Sequence, residues 1–237
     1  MTFLASVYSV VQKVAGPLLR IDAKMQQSAV ACLEYVKANA EAGNPASVIA
    51  AIDAFSKKNM MMNVGERKGE IVDEQIRTVK PQTMVEIGAF CGYSAVRFAS
   101  LQREVVSGDS HYFSFEFSPE YAQIVQEIVT LAGLSNQVTV INGAFSDQHS
   151  VLQGKQVDIF FLDHEKTCYL PDAKLIVESG LLHKGSRILA DNVLFPGTPD
   201  FLDYIQSHPQ FKSELKEAEM TGRFTIKDAV CVAEYQG

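Results

Sequence analysis

Four acidic residues close short apolar runs in the chain: Glu86 in MVEIG, Glu116 in YFSFEF, Asp163 in VDIFFLD and Asp191 in SRILAD. If these runs are neighbouring parallel strands, about 4.8 Å apart, the acids line one groove outside the carboxyl ends of a sheet. That is where open α/β sheets bind their ligands. One such acid reads equally well as a surface residue or a helix cap; four together point to a site. Around the first, EIGAFCGYS (Glu86 to Ser94) sets Gly88 and Gly92 about a turn from strand to helix. Glycine there permits positive φ and lets a ligand approach the backbone, although a tight turn alone would ask for the same residues. The third glycine of the dinucleotide fingerprint is missing, which argues against NAD. Glu116 holds the position from which a carboxylate accepts both hydrogen bonds of a ribose diol. The Gly turn and Glu116 together indicate a ligand that carries adenosine.

The third and fourth runs add a different chemistry. LDHEK brings Asp163, and ADN brings Asp191 with Asn192. Two carboxylates and an amide carbonyl are hard oxygen donors, suited to Mg²⁺ with about three octahedral positions left for water and substrate. The competing reading is that these residues cap the helices that follow. Lys166 lies three residues past Asp163. A nearby cation disfavours an ammonium, which is one route by which a lysine becomes a general base near neutral pH; a solvated loop lysine is the alternative. His164 reads as a wall contact and Cys91 as a small packing residue with no base beside it. Met60, Met61 and Met62 fit a binding lip or ordinary core equally well.

The elements that must position these residues change character at Pro81. Up to that point the chain reads as helices only, with Gly16-Pro17 breaking the first and Asn44-Pro45 supplying a cap and an initial proline for the next. The segment ERKGEIVDEQIRTV is helical in spacing, and Lys80-Pro81 stops it. After Pro81, apolar runs including QVTVING alternate with helical stretches such as SAVRFASLQ and PEYAQIVQEIVTLAGL, the pattern of a parallel sheet covered on both faces. The final stretch, from Phe211, has no helix between its strands, and its Thr221-Gly222 step predicts an antiparallel hairpin.

Composition limits the partners. The 237 residues, 47% hydrophobic, suffice for one large core, so a single domain is expected over 1–237, with 1–44 as a helical extension to a core of 45–237. A net charge of −7 and the lack of a Lys/Arg-rich run argue against nucleic acid. The four cysteines, Cys32, Cys91, Cys168 and Cys231, are scattered, which suits free thiols in a reducing compartment. The opening MTFLASVYSVVQKVAGPLLR lacks the charged start of a signal peptide and is too short and polar to cross a bilayer. It reads as an added amphipathic helix, with a short membrane-surface or transit segment as the alternative; no membrane partner and a cytoplasmic location are expected. The sequence assigns no oligomeric state.

Longer strings add a resemblance. MNVGERKG, VEIGAFCGYSAVR, FLDHEK, YLPD and LADNVLFPGTPDFL resemble catechol O-methyltransferases, in the same order, from about Ala46 to the terminal EYQG. The resemblance implies an α/β fold: a doubly wound, mostly parallel seven-stranded Rossmann-like methyltransferase sheet with one antiparallel strand near an edge. It implies transfer of a methyl group from S-adenosylmethionine to one hydroxyl of a catechol chelated to Mg²⁺. Val64, Glu86, Gly88, Ser94, Glu116, Gly143, Ala144, Phe145 and Asp163 would meet the cofactor, with Glu116 on the ribose. Asp163, Asp191 and Asn192 would hold the metal, Lys166 would be the base, and Met62, Lys166, Asn192 and Pro196 would adjoin the substrate. The chain departs from the family pattern in having no Trp: Met60 matches a tryptophan beside the substrate and Glu165 one beside the adenine. Phe145 and Ser146 replace the usual pair, and the family's substrate-contacting glutamate, near Glu219, cannot be matched without an insertion. Two alternatives accompany this reading: an O-methyltransferase for another vicinal-diol phenol, and a protein that binds S-adenosylmethionine without turnover.

Overall fold

The structure, a computed structural model, describes the backbone of residues 23–221 and 225–237. The expected break at Gly16-Pro17, the N-terminal segment that contains it, the Gly222 turn position and the side chain of Glu219 lie outside the described residues.

Helix α1 covers 23–39, and α2 (Pro45–Ser56) and α3 (Gly65–Val79) follow. The Asn44 side chain accepts the Ser47 N–H at 3.1 Å with Pro45 at the first helical position, which satisfies one of the donors a helix start leaves open. Lys80 ends α3 at the expected place before Pro81, in the left-handed conformation with its N–H bonded to Ile76 O, a common way for a helix to close although the residue before a proline is more often extended. From there strands and helices alternate: β1 (Thr83–Ile87), α4 (Tyr93–Val105), β2 (His111–Glu116), α5 (Pro119–Leu131), β3 (Val138–Asn142), the single turn α6 (Phe145–Gln148), β4 (Ile159–Leu162), α7 (Tyr169–Glu178), β5 (Arg187–Ala190), α8 (Pro199–Ser207), β6 (Phe211–Thr221) and β7 (Thr225–Tyr235).

The seven strands form one sheet in the order β3-β2-β1-β4-β5-β7-β6. The first five are mutually parallel, and β7 runs antiparallel to both of its neighbours. The expected terminal hairpin is therefore present, with β7 inserted between β5 and β6. Each central strand is apolar on both faces, and alternate residues enter different cores. Met84, Phe161 and Leu189 pack with Val36, Ile52, Val72, Phe98 and Val125 from α1 to α5. Val85, Ile87, Phe160 and Ile188 pack with Phe145, Tyr169, Ile176 and Phe201 from α6 to α8. Burying a side chain of this size stabilises the fold by about 1.5–3 kcal/mol. Strand direction and order thus fix which residues emerge at the carboxyl end.

Candidate active site

Chain order reverses between β1 and β4, so the crevice between their carboxyl ends is the switch point of the sheet. Glu86 pairs across to Ser114 and Phe161, and Glu116 pairs with Asn142. The N–H of Asp163 bonds to Ile87 O at 2.9 Å and that of Asp191 to Leu162 O at 2.9 Å, each just beyond a strand. All four acids therefore sit at one end of the sheet. A small cleft there is lined by Met62, Val64, Gly88, Phe90, Ser94 and Asp163, among others. A larger, open hollow lies at the opposite end of the strands, bordered by Thr83, His111, Phe113 and Lys155; it gathers no acid.

The loop after β1 is built around Glu116. One oxygen accepts the N–H groups of Ala89 and Phe90 at 3.0 and 2.9 Å, and the other accepts that of Ser118 at 2.9 Å. Gly88, at φ 95°, packs so closely that a Cβ would fall 2.5 Å from the carbonyl oxygen of Asp163. Its missing side chain is required by protein packing, a reason distinct from ligand approach. Glu86 is fully buried. Ser114 donates to its Oε2 at 2.7 Å, while Oε1 has no hydrogen-bond partner. Burial pushes its pKa up to about 7, partly offset by the hydroxyls of Ser94 and Ser114. A buried, unpartnered carboxylate oxygen is costly unless a ligand satisfies it. The Gly143-Ala144-Phe145 turn leaves β3, with Gly143 N–H on Glu116 O. The Phe145 ring points into the core against Phe115 and Phe160, so its backbone is what the turn offers to a ligand.

Asp163 and Asp191 are close enough that the charge of Asp163 adds to burial in raising the Asp191 pKa to about 7; Lys68 and the Asn192 N–H oppose the rise. Two carboxylates held together against their repulsion, beside an amide, form a donor set that a hard divalent cation would stabilise. Among the described residues, no three His, Cys, Asp or Glu side chains converge on a possible metal position; Asn192 adjoins the pair, its N–H bonded to Asp191 Oδ1 at 2.7 Å. Asn192 follows at φ 59°, a left-handed conformation that Asn tolerates better than most residues.

Lys166 Nζ lies 3.1 Å from Asp163 Oδ1 and 2.7 Å from the Tyr169 hydroxyl. Burial, then the surrounding acids led by Asp163, holds Tyr169 well above its ordinary pKa. Its hydroxyl therefore stays protonated within reach of the Leu162 and Asp191 carbonyls, at 2.9 and 3.0 Å. His164 turns away from the acids, with Nε2 2.9 Å from Asp172 and its ring stacked on Tyr169. Cys91 is buried, and a hydrogen bond with Cys32 together with burial holds its thiol well above the usual range, so it packs and does not attack. The methionines divide: Met60 and Met62 are exposed while Met61 packs on the core. Leu194, Phe195 and Pro196 form an exposed stretch beyond Asn192.

Sequence reasoning missed two buried charges. Lys68 Nζ bonds Asp191 Oδ2 at 2.8 Å and Asp228 Oδ2 at 3.1 Å, and Asp228 accepts the Asn192 amide at 2.9 Å. Lys68 sits in a run of charges that reads as a solvated helix face. Asp228 offers only the weak signal of an acid leading into the apolar run AVCVA.

This fold and the emergence of its acids at the switch point define a methyltransferase-like α/β domain. A family model described as a methyltransferase domain matches residues 85–193. An O-methyltransferase from Bacillus cereus, solved in complex with SAH, superposes with a TM-score of 0.66 at 18% identity, covering 81% of this chain and 90% of that one. Sequence relatives are more specific. Bovine catechol O-methyltransferase is 46% identical over 76% of this chain and 66% of its own length. The mouse catechol O-methyltransferase is 41% identical over 86% of this chain and 77% of its own. The chain belongs to the catechol O-methyltransferase family, enzymes that methylate oxygen with S-adenosylmethionine.

Proposed function

We propose that the protein transfers the methyl group of S-adenosylmethionine to one hydroxyl of a catechol, using Mg²⁺ and a single domain spanning 1–237. The observation that carries this reading is the grouping of Asp163, Asp191 and Asn192 beside Lys166 at the sheet's switch point. Glu116 would take the ribose hydroxyls. Glu86, Ser94, Val64, Gly88, Asp163 and the Gly143–Phe145 turn would hold the rest of the cofactor, whose sulfonium supplies an electrophilic methyl. Asp163, Asp191 and Asn192 would hold the Mg²⁺, which supplies Lewis acidity toward two adjacent phenolic oxygens.

The chain's own residues supply positioning and proton transfer. A bound cation would disfavour the Lys166 ammonium, and Nζ as the neutral amine would take the phenolic proton and become the ammonium, with Asp163 and the Tyr169 hydroxyl fixing its direction. Met62 and Pro196 border the ring and exclude water, so that acceptor and methyl donor stay aligned for in-line attack. The bound sulfonium would lose its charge to the phenolate on methyl transfer, and a dry, preorganised crevice walled by these residues would favour that change. The free thiols at the four cysteines support a cytoplasmic setting. Among the described residues, no helix is long and apolar enough to cross a membrane.

The test is methyl transfer from isotopically labelled S-adenosylmethionine across a panel of phenols. Catechol should accept label in Mg²⁺ and lose that ability in excess EDTA or in Asp191→Ala. Equal transfer to phenols with a single hydroxyl, or full activity in EDTA, would reject chelation of a vicinal diol.

A further inference from the structure

A cation site completed by asparagine has a weakness that two aspartates do not share. Only one end of the amide is an oxygen donor, and the other end presents hydrogens. Some neighbour must choose which end faces the crevice. We propose that Asp228 is that positioning residue: it captures the NH₂ end of Asn192 and so turns the carbonyl oxygen toward Asp163 and Asp191. The inference rests on the metal reading given above.

Asp228 suits the task in charge and in anchoring. It is completely buried on β7, the strand inserted beside β5, from whose end Asn192 emerges. It is ion-paired with Lys68 at 3.1 Å, and its oxygens meet only donors: the Lys68 ammonium, the Asn192 amide and the N–H groups of Leu194 and Phe195. An ionised carboxylate has no proton to donate, so only the NH₂ group can face it; Nδ2 stands 2.9 Å from Oδ2. The carboxylate itself cannot swing. Lys68 Nζ holds the same oxygen at 3.1 Å, and the N–H groups of Leu194 and Phe195 reach the other at 3.3 and 3.1 Å. Lys68 also binds Asp191 at 2.8 Å, so one buried cation ties the metal-side acid to the acid that orients the amide. Partners behind a metal ligand typically change affinity by about 10–100-fold when removed.

The experiment is calorimetric titration of Mg²⁺ into the protein saturated with S-adenosylmethionine, with no phenol present, so the readout does not depend on turnover. Asp228→Asn should weaken Mg²⁺ by about 10–100-fold, because the new amide can donate to the Asn192 carbonyl and draw it out of the crevice. Cofactor affinity and melting temperature should stay near wild type. The reciprocal double variant Asn192→Asp with Asp228→Asn keeps the net charge and presents oxygen whichever way residue 192 turns. It should recover Mg²⁺ affinity to within about threefold of wild type, a rescue that a purely structural role would not give. The inference is overturned if Asp228→Asn binds Mg²⁺ as wild type does. It is equally overturned if the double variant, folded and cofactor-bound, binds Mg²⁺ as weakly as the single one. Should Asp228→Asn not fold, the double variant measured against wild type decides the matter by the same criterion. A wild type that binds cofactor but no Mg²⁺ would reject the metal reading, and this inference with it, before any variant is compared.

Discussion

Replacing Glu86 by glutamine separates the effect of its buried charge from that of its shape. In the cofactor-free protein, burial raises this carboxyl from 4.5 to about 7. At about 1.4 kcal/mol for each pH unit, ionising it inside the fold costs about 3 kcal/mol relative to the unfolded chain. Because the folded pKa is the higher one, the folded state holds the extra proton between pH 4.5 and about 7. The contribution is fully present below 4.5 and is lost as the pH rises through 7. Glu86→Gln cannot ionise and keeps nearly the same size and shape. Urea unfolding of both proteins without cofactor, from pH 5 to 8, measures the difference. Relative to the variant, the wild type should lose up to about 3 kcal/mol across that range. Cofactor affinity of the wild type should rise with pH up to about 7, as the carboxylate forms for a cationic ligand group; that of the variant should be lower and flat. A stability difference independent of pH would refute the assignment of a raised pKa to Glu86.

Two further outcomes concern the reacting groups. Lys166→Met should lower turnover by about two to four orders of magnitude with cofactor affinity unchanged; single-turnover kinetics with a binding titration checks this, and a turnover within about threefold of wild type would remove Lys166 as the base. Met60 is exposed, a methionine side chain is flexible, and an aromatic contact is worth about 0.5–1.5 kcal/mol beyond its area. Met60→Trp should lower KM for a small catechol severalfold and raise it for a bulky one; identical responses would show that residue 60 does not face the ring.

Much of the frame was legible because it rests on local rules. Short runs apolar on both faces, closing on Glu86, Glu116, Asp163 and Asp191, marked both the strands and their carboxyl ends, and Asn44-Pro45 and Lys80-Pro81 marked helix boundaries. The methionine segment stayed ambiguous because three identical side chains carry no period; the structure exposes the first and third and buries part of the middle one. Lys68 and Asp228 were hidden for a different reason. Their pairing joins residues 160 positions apart, and only the insertion of β7 next to β5 brings them together. For Gly88 the positive φ is legible from the turn, while the backbone of Asp163 packed behind it is not, since the β1–β4 pairing is itself non-local.

The most direct test of the account is a co-crystal structure with S-adenosylmethionine, Mg²⁺ and a catechol inhibitor. It should place one cation on Asp163, Asp191 and the carbonyl oxygen of Asn192, with both inhibitor oxygens facing that cation and one of them within hydrogen-bond reach of Lys166 Nζ. The cofactor ribose should rest on Glu116. A catechol bound away from these three residues, or a cation absent from them while the inhibitor occupies the crevice, would contradict the account.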